Sequence, residues 1–132
     1  MKTHVLDASA LMSFYEDRPG AGTVEELLAR AAEAKRPLLM SVVNWGEVYY
    51  SVWRARGEVA ANGKLCEIAQ LPIEIVDAGS GLTRMAARFK AEQNLPYADC
   101  FAAALAQDRK ATLVTSDKDF ERVGPALKIL WV

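Results

Sequence analysis

Four acids are placed so that a chain of alternating strands and helices could bring them to one point: Asp7, Glu47, Asp99 and Asp117. Each alone has an ordinary structural use. Asp7 and Asp117 follow apolar runs and suit helix N-caps. Asp99 suits the positive end of a helix dipole, and Glu47 suits an exposed helix position. The set demands more. Four carboxylates at one point repel one another severely unless a cation sits among them. Oxygen donors select a hard ion, Mg²⁺ or Mn²⁺, over zinc. His4 is the only histidine, and Cys66 and Cys100 are not spaced as a metal knuckle. A serine or cysteine triad needs a histidine base at the site, so Ser9 and Cys100 are poor nucleophile candidates.

The elements that must position these acids can be read in order. Thr3 to Leu6 is a short apolar run that breaks at Asp7, the pattern of a buried parallel strand with an acid at its carboxyl end. Ligands in open α/β sheets collect beyond such ends. Ala8 to Phe14 reads as a helix capped by Asp7 or Ser9, stopped near Pro19-Gly20. Thr23 is the expected N-cap of a second helix running to about Lys35. Leu38 to Met40 is a second strand, and Ser41 caps a helix from Val42 to about Arg56. In that helix Trp45, Val48, Tyr49 and Val52 share i, i+3, i+4, i+7 spacing, with Glu47 at the margin of the stripe. Val59 to Gln70 is a further helix and Ile73 to Val76 a third strand. Leu82 to Gln93 is a helix with Asn94 as C-cap. Pro96 then opens an alanine-rich helix carrying Asp99 in or near its first turn. Thr112 to Val114 is a fourth strand, leading to Asp117, and Lys128 to Val132 is a last strand. This alternation predicts a three-layer α/β/α sandwich with a mostly parallel sheet of four or five strands.

Length and composition set the bounds. The 132 residues suit one domain, 1–132, and 52% hydrophobic content supports a real core. A net charge of −1 gives no global basic field, so nucleic-acid binding would need a local patch or a metal bridge. Asp7 interrupts what would be a signal peptide's apolar core, and no apolar run approaches the ~18 residues of a membrane span. Two reduced cysteines and no membrane segment predict a cytoplasmic protein.

Four stretches together carry a family resemblance: Val5-Leu6-Asp7-Ala8-Ser9-Ala10-Leu11, Asn44-Trp45-Gly46-Glu47-Val48, Leu95 to Ala106 around Asp99, and Leu113 to Phe120 around Asp117. In this order they resemble PIN-domain ribonucleases, and the chain length is similar to the VapC-like toxins of bacterial toxin–antitoxin pairs. The resemblance implies that Asp7, Glu47, Asp99 and Asp117 form an acidic quartet holding Mg²⁺ or Mn²⁺. It implies hydrolysis of RNA to 5′-phosphate and 3′-hydroxyl ends. Ser9, Thr115 and Ser116 are auxiliary residues expected to orient carboxylates, and Asp119 is a possible extra acid or a solvent-facing one. Arg54, Arg84, Arg88 and Lys118 are candidates for holding RNA backbone. The resemblance also implies a homodimer and an antitoxin partner. Aromatics offer that partner a place: Phe14 and Tyr15 end the first helix, while Tyr50 and Trp53 lie one and two turns past Glu47. Two alternatives stay open. One is a Mg²⁺-dependent receiver-like phosphotransfer domain, which explains Asp7 but not Glu47 or Asp99. The other is a noncatalytic binding module on the PIN fold.

Overall fold

A computed structural model describes residues 2–132. The strands are β1 (His4–Leu6), β2 (Leu38–Ser41), β3 (Ile73–Val76), β4 (Thr112–Thr115) and β5 (Lys128–Trp131). The helices are α1 (Ala8–Tyr15), α2 (Ala21–Ala34), α3 (Val42–Arg56), α4 (Glu58–Ala69), α5 (Ser80–Gln93) and α6 (Tyr97–Arg109), with a 3₁₀ segment at Lys118–Ala126. The strands form one sheet in the order β3-β2-β1-β4-β5. All four pairings are parallel. Parallel neighbours need long crossovers, and the helices supply them.

Strand alternation explains the three layers. In β1, Val5 points into one core and Leu6 into the other, and both are fully buried. Val5, Leu39 and Leu113 meet α5, α6 and the 3₁₀ segment. Leu6, Met40 and Val114 meet α1 to α4. The run Cys100–Ala106 of α6 is buried at every position. Its small side chains let the backbone lie close to the sheet, which fixes the start of α6 and therefore Asp99.

The structure departs from the sequence expectation at one place and adds an element at another. First, α2 begins at Ala21, so Thr23 lies inside the helix and Gly20 takes the N-cap position without a side-chain bond. Packing decides this. A Cβ on Gly20 would lie 2.4 Å from the Val132 carbonyl carbon, so the close approach of the chain's carboxyl end requires glycine there. Second, Lys118–Ala126 folds as 3₁₀ turns with a break at Gly124, where φ is 60°. Phe120 anchors this segment by burying its whole ring. Burial of such a ring contributes roughly 1.5–3 kcal/mol, enough to hold the acids on either side of it.

Candidate active site

Asp7 is built into the frame. It follows β1 as the N-cap of α1, with its Oδ1 accepting from the Ala10 backbone N–H at 2.9 Å. Ser9 Oγ donates to the same oxygen at 2.7 Å, and Thr115 Oγ1 donates to Oδ2. The cap and the site residue are thus the same side chain. Ser9 Oγ also accepts from the Ser116 N–H at 3.0 Å, and Thr115 Oγ1 from the Asp117 N–H at 2.9 Å. These bonds join the end of β1 to the end of β4 and set Asp117 beside Asp7. Asp7 is 2% exposed, and burial, outweighing its hydrogen bonds, raises its pKa to about 6.

Glu47 and Asp99 are joined by a residue that the sequence did not single out. Asn44, fully buried on α3, donates from Nδ2 to Glu47 Oε1 at 2.8 Å and to the Ala98 carbonyl at 3.2 Å. Ala98 immediately precedes Asp99, so one amide ties both acids together across α3 and α6. The signal was present: Asn44, Val48 and Val52 stand at i, i+4, i+8, and all three are buried. A polar residue in a buried stripe needs a reason. Asn44 Oδ1 and Asp99 Oδ2 are both buried without a hydrogen-bond partner. Turning the amide over would set its oxygen against two acceptors, so the orientation follows from the partners.

Asp99, Asp117 and Asp119 each place a carboxylate oxygen within 4.8 Å of the others. Asp117 caps the 3₁₀ segment by accepting from the Asp119 N–H at 2.9 Å. Asp119 also lies 3.6 Å from Arg122. Asp7 and Glu47 stand outside that tight group but act on it. Burial first, then Asp117, then the charges of Asp7 and Glu47 raise the Asp99 pKa to about 8. Burial, and more weakly Asp117, also raise that of Glu47.

These residues fit a hard divalent ion. The donors are all oxygens, the carboxylates repel one another, and Asp99 carries a buried oxygen that no protein group satisfies. A buried carboxylate in that condition costs several kcal/mol unless a proton or a cation compensates it. Asp99, Asp117, Asp119, Asp7 and Glu47 are the groups that would hold such an ion.

The aromatic candidates lie beside the acids' helices. Phe14 and Tyr15 stack edge-on at 5.2 Å near the end of α1, and α1 packs on α3. Tyr15 receives Lys64 over its ring at 3.7 Å. Tyr50 and Trp53 on α3 are 51% and 42% exposed, with Trp53 edge-on to Tyr49 at 5.6 Å. Of the rim cations, Arg54, Arg84 and Lys118 are exposed, and Arg88 pairs with Glu92. No helix among the described residues is long and apolar enough to cross a membrane.

The sheet is ordered 3-2-1-4-5 with acids gathered beyond the ends of its central strands, and the chain matches the model of the PIN domain over residues 4–125. The chain therefore belongs to the PIN domain family, which sets aside the receiver-like alternative. Solved structures share the fold. VapBC from Salmonella typhimurium, bound to DNA, is 17% identical, with 98% of each chain covered and a TM-score of 0.75. VapBC2 from Rickettsia felis, bound to a fragment of promoter DNA, is 21% identical, with 97% of each chain covered and a TM-score of 0.74. VapC20 from Mycobacterium tuberculosis, a sarcin–ricin-loop-cleaving toxin, is 16% identical over 92% of this chain and 95% of its own, with a TM-score of 0.69. No curated protein sequence matches significantly.

Proposed function

We propose that this chain is a metal-dependent endoribonuclease and the toxin of a toxin–antitoxin pair, acting in the cytoplasm. The observation that carries the reading is Asp99: a buried carboxylate with an unpartnered oxygen, beside Asp117 and Asp119 and within the field of Asp7 and Glu47. Structural proteins avoid such a group, and catalytic sites for anionic substrates use it to hold cations.

The residues divide the work. Asp7, Glu47, Asp99 and Asp117 hold Mg²⁺ or Mn²⁺, with Asp119 at the margin. A bound divalent ion supplies charge neutralisation for an otherwise repelled phosphate and acidifies a water to serve as nucleophile. Thr115 and Ser9 keep Asp7 in one rotamer, Ser116 fixes Ser9 through its N–H, and Asn44 does the same for Glu47. Their hydrogen bonds are already formed, so little reorganisation is left for the reacting complex. Arg54, Arg84, Arg88 and Lys118 hold flanking RNA backbone by charge. Products carry 5′-phosphate and 3′-hydroxyl ends.

The direct test is RNA cleavage by the purified chain, with end mapping. Cleavage with Mg²⁺ or Mn²⁺ and none in EDTA is expected. Absence of cleavage across total cellular RNA with either ion would favour the noncatalytic binding module instead.

The partner in this proposal is an antitoxin whose amphipathic helix lies along Phe14, Tyr15, Tyr50 and Trp53. The exposure of Tyr50 and Trp53 supports it, since large exposed aromatics side by side mark binding surfaces. Trp53→Ala should weaken antitoxin binding about tenfold or more while RNA cleavage stays near wild type. A homodimer is part of the same proposal, and a strictly monomeric species by light scattering at micromolar concentration would remove it.

A further inference from the structure

The end of the sheet away from the acids holds a cavity of about 460 Å³. It opens between α2 and the amino ends of β1 and β2. Val5 and Leu6, both fully buried, separate it from Asp7 along β1. His4 and Asp7 are three strand residues, about 10 Å, apart, and none of Asp7, Glu47, Asp99, Asp117 and Asp119 lines the cavity. Its volume falls in the range of small-ligand pockets, roughly 300–1,000 Å³.

The lining has two parts. The floor is apolar, with Leu27, Leu38 and Leu130 among its residues. The rim carries Lys2, Arg30, Arg36 and His4 against a single acid, Glu26. Glu26 is already engaged by Arg30. With His4 neutral, the rim holds a net excess of two positive charges. His4 is indeed held toward the neutral form, by burial first and then by Lys2 and Arg30. A neutral imidazole still offers one N–H donor. This positive rim stands out in a chain whose net charge is −1.

From this arrangement we infer that the cavity binds a nucleoside phosphate monoester, with the base on the apolar floor and the phosphate among Lys2, Arg30 and Arg36. Two excess positive charges match a phosphate dianion better than a single carboxylate. Arginine forks also bind phosphate oxygens in pairs. Exposed cations contribute little one at a time, but here Lys2 and Arg36 line one concave surface with Arg30, which shares its charge with Glu26, and apolar side chains back all three. The same chemistry can come from a free nucleotide or from the 5′-phosphorylated end of an RNA. The inference does not depend on the nuclease reading.

The test is a titration of the full chain in EDTA, where the acids repel phosphate, followed by backbone amide NMR. The probes are 5′-AMP, adenosine, a 5′-phosphorylated RNA tetramer, the same tetramer with a 5′-hydroxyl, and an acidic peptide. With 5′-AMP, shifts are expected at the amides of Ala31, Ala34 and Leu38. Adenosine should bind at least about tenfold more weakly, and Lys2→Glu/Arg36→Glu should weaken 5′-AMP by a similar factor. Both changed residues are exposed, so the fold is retained. Tighter binding of the phosphorylated tetramer than of 5′-AMP assigns the pocket to RNA ends, and the reverse assigns it to free nucleotide. Equal binding of adenosine, equal binding to the charge-reversed variant, equal binding of the acidic peptide, or shifts confined to Asp7, Asp99 and Asp117 would each overturn the inference.

Discussion

Asp7 and Asp99 are two buried acids of one site, treated by the fold in opposite ways. Asp7 is 2% exposed and Asp99 7% exposed. Yet Asp7 receives Ser9, Thr115 and the Ala10 N–H, while Asp99 keeps a buried oxygen with no partner. The pKa of Asp7 is raised to about 6 and that of Asp99 to about 8. The difference is one of purpose. The hydrogen-bonded acid is part of the framework and stays put whatever is bound. The unpartnered acid, pressed by neighbouring carboxylates, is the one that a bound cation would relieve most under the proposed function. Burial alone does not make a site; burial that the protein leaves uncompensated does.

The largest expected effect separates the two acids. Asp99→Asn should reduce RNA cleavage by about a thousandfold or more, on the scale of losing a group that acts at the reacting centre. In EDTA its melting temperature should rise, because the amide removes the repulsion from Asp117. Asp7→Asn should lose activity too but gain less stability, since its partners are already satisfied. Calorimetry of both variants without metal measures the contrast. An equal rise would mean that the hydrogen bonds around Asp7 count for little.

The second effect is a pH dependence. Both acids have raised folded-state pKa values, so the folded chain binds more protons than the unfolded chain above pH 3.8. What these two acids contribute to the stability of the metal-free protein is therefore fully present below pH 3.8 and is lost as pH rises, that of Asp7 by about 6 and that of Asp99 by about 8. The Asp7 shift alone corresponds to about 3 kcal/mol, lost between pH 3.8 and about 6, so that above about 6 the remaining fall belongs to Asp99. Saturating Mg²⁺ should flatten the fall, because a ligand of the folded state stabilises it by mass action. Thermal melts from pH 5 to pH 8, with and without Mg²⁺ and in the Asp99→Asn variant, check this. A melting temperature in EDTA that climbs with pH would contradict it.

A smaller effect probes what each acid leans on. Asn44→Ala frees Glu47 and releases the Ala98 carbonyl, and should weaken Mn²⁺ affinity or activity about 10- to 100-fold. Raising the Mn²⁺ concentration should restore part of the loss. The smallest effect belongs to the framework side. Thr115→Val removes one donor to Asp7 and should cost about 1–2 kcal/mol of stability, seen in urea unfolding, with metal affinity lowered less than in Asn44→Ala. If Thr115→Val instead weakened the metal more than Asn44→Ala, the division between framework and site would be the wrong way round.

Much of this arrangement is legible in the sequence. All five strands and the six helices follow from apolar runs, spacing and punctuation, and a mostly parallel sheet follows from their alternation, whereas the order β3-β2-β1-β4-β5 does not. Asp7 and Asp117 are conspicuous because each ends a strand. Glu47 is placed by periodicity only at the edge of a stripe, and the resemblance was needed to give it a role. Asn44 escaped because helical spacing assigns a face but not a partner, and its partner lies 54 residues away. The 3₁₀ segment escaped for a local reason. Gly124 and Pro125 break any helical period there, while Phe120 and Val123 reach the core through tight turns that periodicity does not anticipate.

The bond from Thr115 to Asp7 also has a consequence in time. Its two residues are 108 apart in sequence. A ribosome adding 5–20 residues per second needs about 5–20 s to travel between them. Throughout that interval β1 has no β4 beside it, and its terminal acid lacks the hydroxyl that later holds it. Until β4 has been made, Asp7 is held only by Ser9 and the Ala10 N–H, so the last of its three bonds must form long after the first two.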